Sequence, residues 1–132
     1  EEISYALNNK ILCFNVESEE ELNAINEQAS LMKLKANVSI RVNPDVKVET
    51  HPYISTGMRE NKFGIAYEDA FNVYKKASKL DAINIVGVDF HIGSQIMSIS
   101  PYIDSIKSIK KRHWYSSCWY DSAFSRDGRV VI

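Results

Sequence analysis

The 132-residue chain is poor in the features that mark several large functional classes. It has no basic excess, with 16 Lys and Arg against 17 Asp and Glu. These charges are scattered rather than clustered, which argues against a nucleic-acid partner. No apolar run approaches the roughly 18 residues that span a bilayer, so no membrane role is expected. The opening residues EEISYALNNK begin on two acids and hold no apolar core, unlike a secretory signal or a transit peptide. No initiating methionine is present. Cys13 and Cys118 stand far apart without metal-ligand spacing, so they read as free thiols of a reducing, cytoplasmic compartment, and no metal site is expected. What remains is ordinary: 45% hydrophobic and 25% charged residues, enough for about one globular domain.

Strand and helix patterns alternate along this domain. ILCFNV, Ile11 to Val16, is a short apolar run of the kind buried on both faces in parallel sheets. SEEELNAINEQASLM follows, in which Ser18 and Glu21 make a capping box and Leu22, Ile25, Ala29 and Met32 share one helical face. NVSIRVNPD alternates, with Val38, Ile40 and Val42 on one side and Asn37, Ser39 and Arg41 on the other, until Pro44 closes the strand. After a long connection, Tyr67, Phe71, Tyr74 and Ala77 trace the stripe of a second helix. Lys75, Lys76 and Lys79 lie near its end, where they suit the helix dipole. INIVGVDFHIGSQ reads as a third strand. Strict alternation places Val86, Val88 and Phe90 on one side and Ile85, Gly87, Asp89 and His91 on the other.

Alternating strands and helices imply right-handed parallel βαβ units. In a β/α barrel one strand face lies under the helices and the other points into the barrel, so Arg41, Asp89 and His91 project inward near strand C-termini, where barrel active sites form. A doubly wound open sheet is the competing architecture and places its ligands at the same strand ends. Asp89 can pair with Arg41, because a buried charge needs a partner. The stretch FHIGSQ runs a buried strand into His91, Gly93 and Ser94. A planar imidazole can stack on a ring, a glycine admits close backbone approach, and a hydroxyl can bind phosphate. The plainer reading of His91 is a core histidine at a strand end, and that of Arg41 a solvated strand-end arginine. The connection VKVETHPYISTGMRENKFG carries Tyr53, Gly57, Phe63 and Gly64 and is expected to be an ordered, functional loop. His51 within it reads as a loop histidine.

Taken together, SIRVNPD, THPYISTGMRENKFGI and GVDFHIGSQ, in this order and spacing, resemble the barrel domain of the diaminopimelate decarboxylases, fold type III pyridoxal-phosphate (PLP) enzymes of lysine biosynthesis. The resemblance runs from about Ile3 to Lys111. KFG and the H-x-G-S element are shared with ornithine and arginine decarboxylases, while THPYISTG is similar to the diaminopimelate branch. The resemblance implies PLP-dependent decarboxylation of meso-diaminopimelate to lysine. It implies His91 against the cofactor ring, with a catalytic role, Ser94 near the cofactor phosphate, and Arg41 in the barrel beside the cofactor. It further implies an amino-acid substrate and a homodimer in which Lys62 reaches the other subunit.

The family's Schiff-base lysine, glycine-rich phosphate loop, ring-nitrogen glutamate and C-terminal β-domain have no counterpart in these 132 residues. After Lys111 the sequence RHWYSSCWYDSAFSRDGRVVI has no resemblance to the family, and Cys118 lacks the motif around the family's cross-subunit cysteine. A β/α barrel needs about 250 residues, so the fold expected is α/β, a partial TIM-like barrel of the alanine racemase and decarboxylase kind, about half of the PLP-binding domain. Residues 1–111 form that part and 112–132 a divergent tail. Alone, such a part is expected to be inactive. Two other readings are another PLP amino-acid decarboxylase of the ornithine or arginine type, and a noncatalytic half-barrel binding module.

Overall fold

Alternate apolar residues of one strand organise the molecule. The computed structural model describes residues 1–43, 63–93 and 98–111. Its elements run α1 (Glu2–Asn8), β1 (Phe14–Val16), α2 (Glu19–Leu31), β2 (Ala36–Asn43), β3 (Ile65–Ala66), α3 (Ala70–Ala77), β4 (Ile83–Asp89) and α4 (Ser100–Lys111). β2 pairs in parallel with β1, β3 and β4, with α2 standing between β1 and β2 and α3 between β3 and β4. Val38, Ile40 and Val42 of β2 are fully buried. They join Val16 of β1 and Val88 of β4 in one core with Leu22, Ile25 and Ala29 of α2, Val73, Tyr74 and Ala77 of α3, Leu7 of α1 and Ile109 of α4. The opposite face carries Asn15, Asn37, Ser39, Arg41, Asn84 and Asp89, placed there by the same register.

The capping box forms with its return bond shifted by one residue, to the N–H before the cap. Ser18 Oγ accepts from the Glu21 N–H at 3.1 Å, while the Glu21 carboxylate accepts from the Glu17 N–H at 2.8 Å. Thus the β1–α2 turn is tied at both ends. α2 closes with Lys33 at φ 56° and the Leu34 N–H bonded to the Ala29 carbonyl at 2.9 Å. On α3, buried Tyr74 donates its hydroxyl to the Gly87 carbonyl of β4 at 3.0 Å, so the helix is pinned to the sheet by a satisfied polar group.

Several expectations need correction. β1 spans three residues rather than six, and Ile11 and Leu12 are 41% and 67% exposed. There the Leu12 carbonyl takes the Asn37 side-chain amide at 3.1 Å instead of a ladder partner. The buried stripe of α3 is Ala70, Val73, Tyr74 and Ala77. Tyr67 precedes the helix and donates its hydroxyl to the Ser108 carbonyl of α4, and Phe71 is 37% exposed. β4 departs from strict alternation: Val38 pairs with Ile85 but Ser39 with Gly87, so Val86 is an unpaired bulge residue. One extra residue reverses the parity of everything before it. Ile85 therefore shares the core face with Val88, not the polar face with Asp89. His91 lies two residues beyond the strand end.

The chain returns from the long connection through Gly64, at φ 101°, into β3. A Cβ on Gly64 would meet the Arg41 carbonyl oxygen at 3.0 Å and Arg41 Cγ at 3.2 Å. Both the dihedral and the backbone contact demand glycine. Gly64→Ala should therefore cost about 1–3 kcal/mol of stability, read as a lowered urea midpoint with an unchanged slope. A variant with the parent midpoint would show that the loop approaches Arg41 less closely.

Candidate functional site at the strand mouths

β-sheet parity gathers chemistry on one face. Cys13, Asn15 and Glu17 follow one another at two-residue steps along and just past β1, and Asn15 is paired with Ser39. Ser39 and Arg41 continue the row on β2, opposite Gly87 and Asp89 of β4. His91 stands two residues past Asp89 and is exposed. Arg41, Asp89 and His91 are thus brought to one end of the sheet, at the C-terminal side of their strands, as anticipated.

The pairing within this group differs from expectation. Arg41 forms its ion pair with Glu17, through Nη1 and Oε1, and not with Asp89. Glu17 wins because the capping box holds its backbone at the head of α2, adjacent to β2, where its side chain meets the guanidinium. The pair is largely desolvated on the arginine side, with side-chain exposures of 20% for Arg41 and 34% for Glu17. Asp89, lying opposite Arg41 in the β2–β4 register, is left with a carboxyl whose pKa is raised, first by burial. Arg41, the Phe90 N–H and His91 oppose that rise, and Glu17 adds to it. Cys13 is a free thiol, pushed up by burial and then by the Asp89 charge, which makes it a poor nucleophile.

Two further atoms mark the face as a place for a polar ligand. Ser39 Oγ and Arg41 Nε are buried and have no hydrogen-bond partner among the described residues. Each such orphan costs about 1–3 kcal/mol unless something supplies the missing bond. Gly87, opposite Ser39, adds no side chain to the space above it. No group of three or more His, Cys, Asp and Glu able to hold a metal occurs among the described residues. Ser94, Lys62, His51 and Cys118 lie outside the described residues. Sequence reading passed over Glu17 and Asn15, and placed Ser39 on the face of Arg41 without giving it a role; the legible signal was parity, since each sits an even number of residues from Cys13 or Arg41 on its own segment.

A carboxyl with a raised folded-state pKa holds its proton more tightly in the folded chain than in the unfolded one. Its ionisation therefore works against folding as pH rises from the ordinary carboxylate value through the raised one. Asp89→Asn should increase the urea midpoint at neutral pH, and the gain should vanish at about pH 3, where both states carry the protonated acid. A gain that persists undiminished in acid would assign it to packing rather than to charge.

Comparison with known proteins agrees with the geometry. Residues 1–114 match the pyridoxal binding domain of pyridoxal-dependent decarboxylases. The chain is 54% identical over 105 residues to a diaminopimelate decarboxylase of Haemophilus influenzae, covering 80% of this chain and 25% of the relative. It is 51% identical over 104 residues to that of Pseudomonas aeruginosa, covering 79% of this chain and 25% of the relative. The chain thus spans about a quarter of the length of these curated relatives. Among solved structures, diaminopimelate decarboxylase from Helicobacter pylori complexed with L-lysine superposes with a TM-score of 0.74 at 44% identity, covering 83% of this chain and 28% of that one. An alanine racemase from Clostridium difficile, at a TM-score of 0.59 and 21% identity, shares the fold alone. The parallel sheet is accordingly part of a β/α barrel of the alanine racemase and decarboxylase type. The chain belongs to the pyridoxal-dependent decarboxylase family, whose cofactor is pyridoxal phosphate, and its resemblance is to the diaminopimelate decarboxylases.

Proposed function

We propose that these residues supply part of the cofactor-binding wall of an enzyme that removes a carboxylate from meso-diaminopimelate to give lysine. The observation that carries the proposal is the row Ser39, Arg41, Asp89 and His91 at the mouth of parallel strands, in a chain about half identical to diaminopimelate decarboxylases. Relatives from Helicobacter pylori and M. jannaschii complexed with L-lysine support the same substrate class, since loss of one carboxylate converts diaminopimelate to lysine.

The face suits pyridoxal phosphate on its own chemistry. Buried Arg41 Nε and Ser39 Oγ are unspent donors, and exposed His91 offers a flat ring clear of the core. Gly93, at φ 129°, lets the backbone beyond His91 turn without a side chain in the way. When bound, the cofactor serves as the sink for the electron pair left as the carbon–carboxylate bond breaks. His91 would hold the ring and limit water, Arg41 would hold a polar group of the ligand, and Ser94 would serve the phosphate. Lys62 makes a contact across a homodimer, and the enzyme acts in the cytoplasm. Ordering the reacting groups is the contribution of this wall, and it is completed only by the rest of a barrel, so these 132 residues alone are taken to be inactive.

His91 offers the direct test, in an enzyme carrying these residues within a complete barrel. His91→Ala should leave folding intact, weaken pyridoxal phosphate retention and lower the decarboxylation rate about 100-fold, as expected for lost positioning. His91→Phe keeps a flat face and should retain the cofactor better than alanine does. Cofactor absorbance and lysine release report the two effects. Wild-type retention and rate in His91→Ala would overturn the role of the histidine.

A further inference from the structure

One guanidinium stands between two carboxyl groups on the polar face, and the fold decides which of them it serves. We propose that Glu17 is a positioning residue: by holding Arg41 it keeps the cation from closing on Asp89, which lies across the β2–β4 ladder from it. The chain of contacts is short. The Glu21 carboxylate accepts the Glu17 N–H at 2.8 Å, which fixes the backbone of Glu17 at the head of α2. Glu17 Oε1 then takes Arg41 Nη1. Behind Arg41, the backbone of Gly64 lies close enough that even a methyl group would strike the arginine carbonyl at 3.0 Å. Glu17 thus holds the guanidinium, while Gly64 lies against the Arg41 backbone and the base of its side chain.

Asp89 sits across the β2–β4 ladder from Arg41. The charged and titratable groups around it are Glu17 and Cys13 from the β1 segment, Arg41 from β2 and His91 beyond β4. With a second carboxylate already on the arginine, a fully ionised Asp89 would leave two negative charges sharing one positive charge on a partly buried face. Burial in the first place, and then the Glu17 charge, raise the Asp89 pKa, while Arg41 pulls it down. A protonated carboxyl is also a hydrogen-bond donor, which a carboxylate is not. In its protonated form Asp89 can donate toward an acceptor bound beside His91, whereas Glu17 is engaged by Arg41. The division of charge follows from the geometry of this face, and only its bearing on the reaction rests on the function proposed above.

The experiment is a carbon-13 NMR titration of the Asp89 side-chain carboxyl in the whole 132-residue chain, without cofactor, in the parent and in Glu17→Gln. Freed from its partner, Arg41 should turn to Asp89, and the Asp89 midpoint should move down. Glu17→Asp, with a shorter reach and an intact charge, should give a midpoint between the two, and it serves if the glutamine variant does not fold. Action through Arg41 is separated from direct repulsion by repeating the substitution in Arg41→Gln, where the downward shift must be smaller. A midpoint unmoved or raised by Glu17→Gln, or an equal shift in both backgrounds, would overturn the proposal. Because no cofactor is present, failure of the pyridoxal phosphate reading would leave this titration unchanged.

Discussion

Placing an arginine on the inner face of a parallel strand is the constraint around which this part of the barrel is arranged. Arg41 cannot be solvated like a surface residue, because its strand is central among the described strands and its side chain is largely enclosed. A charge in that position needs a partner, since an unpaired one would lose several kcal/mol of hydration without return. Glu17 is the partner, and the β1–α2 turn that delivers it is anchored by the capping box of α2. The same arginine dictates a glycine at position 64, where the chain passes too close for any side chain. Asp89, across the ladder, has its pKa raised first by burial, with Arg41 opposing the rise and Glu17 adding to it.

The two faces of the sheet have different tasks, and magnitudes separate them. Stability comes from the helix-covered face, where each fully buried aliphatic residue such as Ile40 or Leu22 contributes about 1.5–3 kcal/mol. The Lys76–Glu19 pair that bridges α3 and α2 is over 40% exposed on both sides, so its worth is at most about 1 kcal/mol. The polar face runs the other way: buried Ser39 Oγ and Arg41 Nε lack partners among the described residues, which is a local cost rather than a gain. Unspent donors at a strand mouth make sense where a bound group completes them. The separation lets the site keep its unsatisfied atoms while the core beneath it holds the strands in place.

Local sequence determined the parts whose causes are local. Ser18 and Glu21 define the start of α2 through hydrogen bonds within four residues, and both form, the return bond shifted to the N–H before the cap. Alternation along β2 separates Val38, Ile40 and Val42 from Ser39 and Arg41, because a regular strand alternates faces whatever lies beside it. α1 and α4 were not anticipated, although Ile3 and Leu7, and Ile103, Ile106 and Ile109, carry helical spacing in short runs that compete weakly with a coil. For the site, Arg41, Asp89 and His91 were legible from parity and from their positions at strand ends.

Tertiary structure alone decided which of these groups interact. The bulge at Val86 depends on β4 fitting the register of β2, and no alternation within β4 announces it; hence Ile85 moved to the core face. The partner of Arg41 was set by the spacing between strands and by the turn that brings Glu17 across 24 residues of sequence, so Asp89 lost the pair that proximity in pattern had suggested. The need for glycine at position 64 arises from a backbone 23 residues away pressing against Arg41. Pattern along a chain reports which face a residue occupies where the strand is regular, as in β2, and fails where pairing inserts a bulge, as in β4. Partnership and protonation are properties of distances between strands, which exist only once the chain has folded.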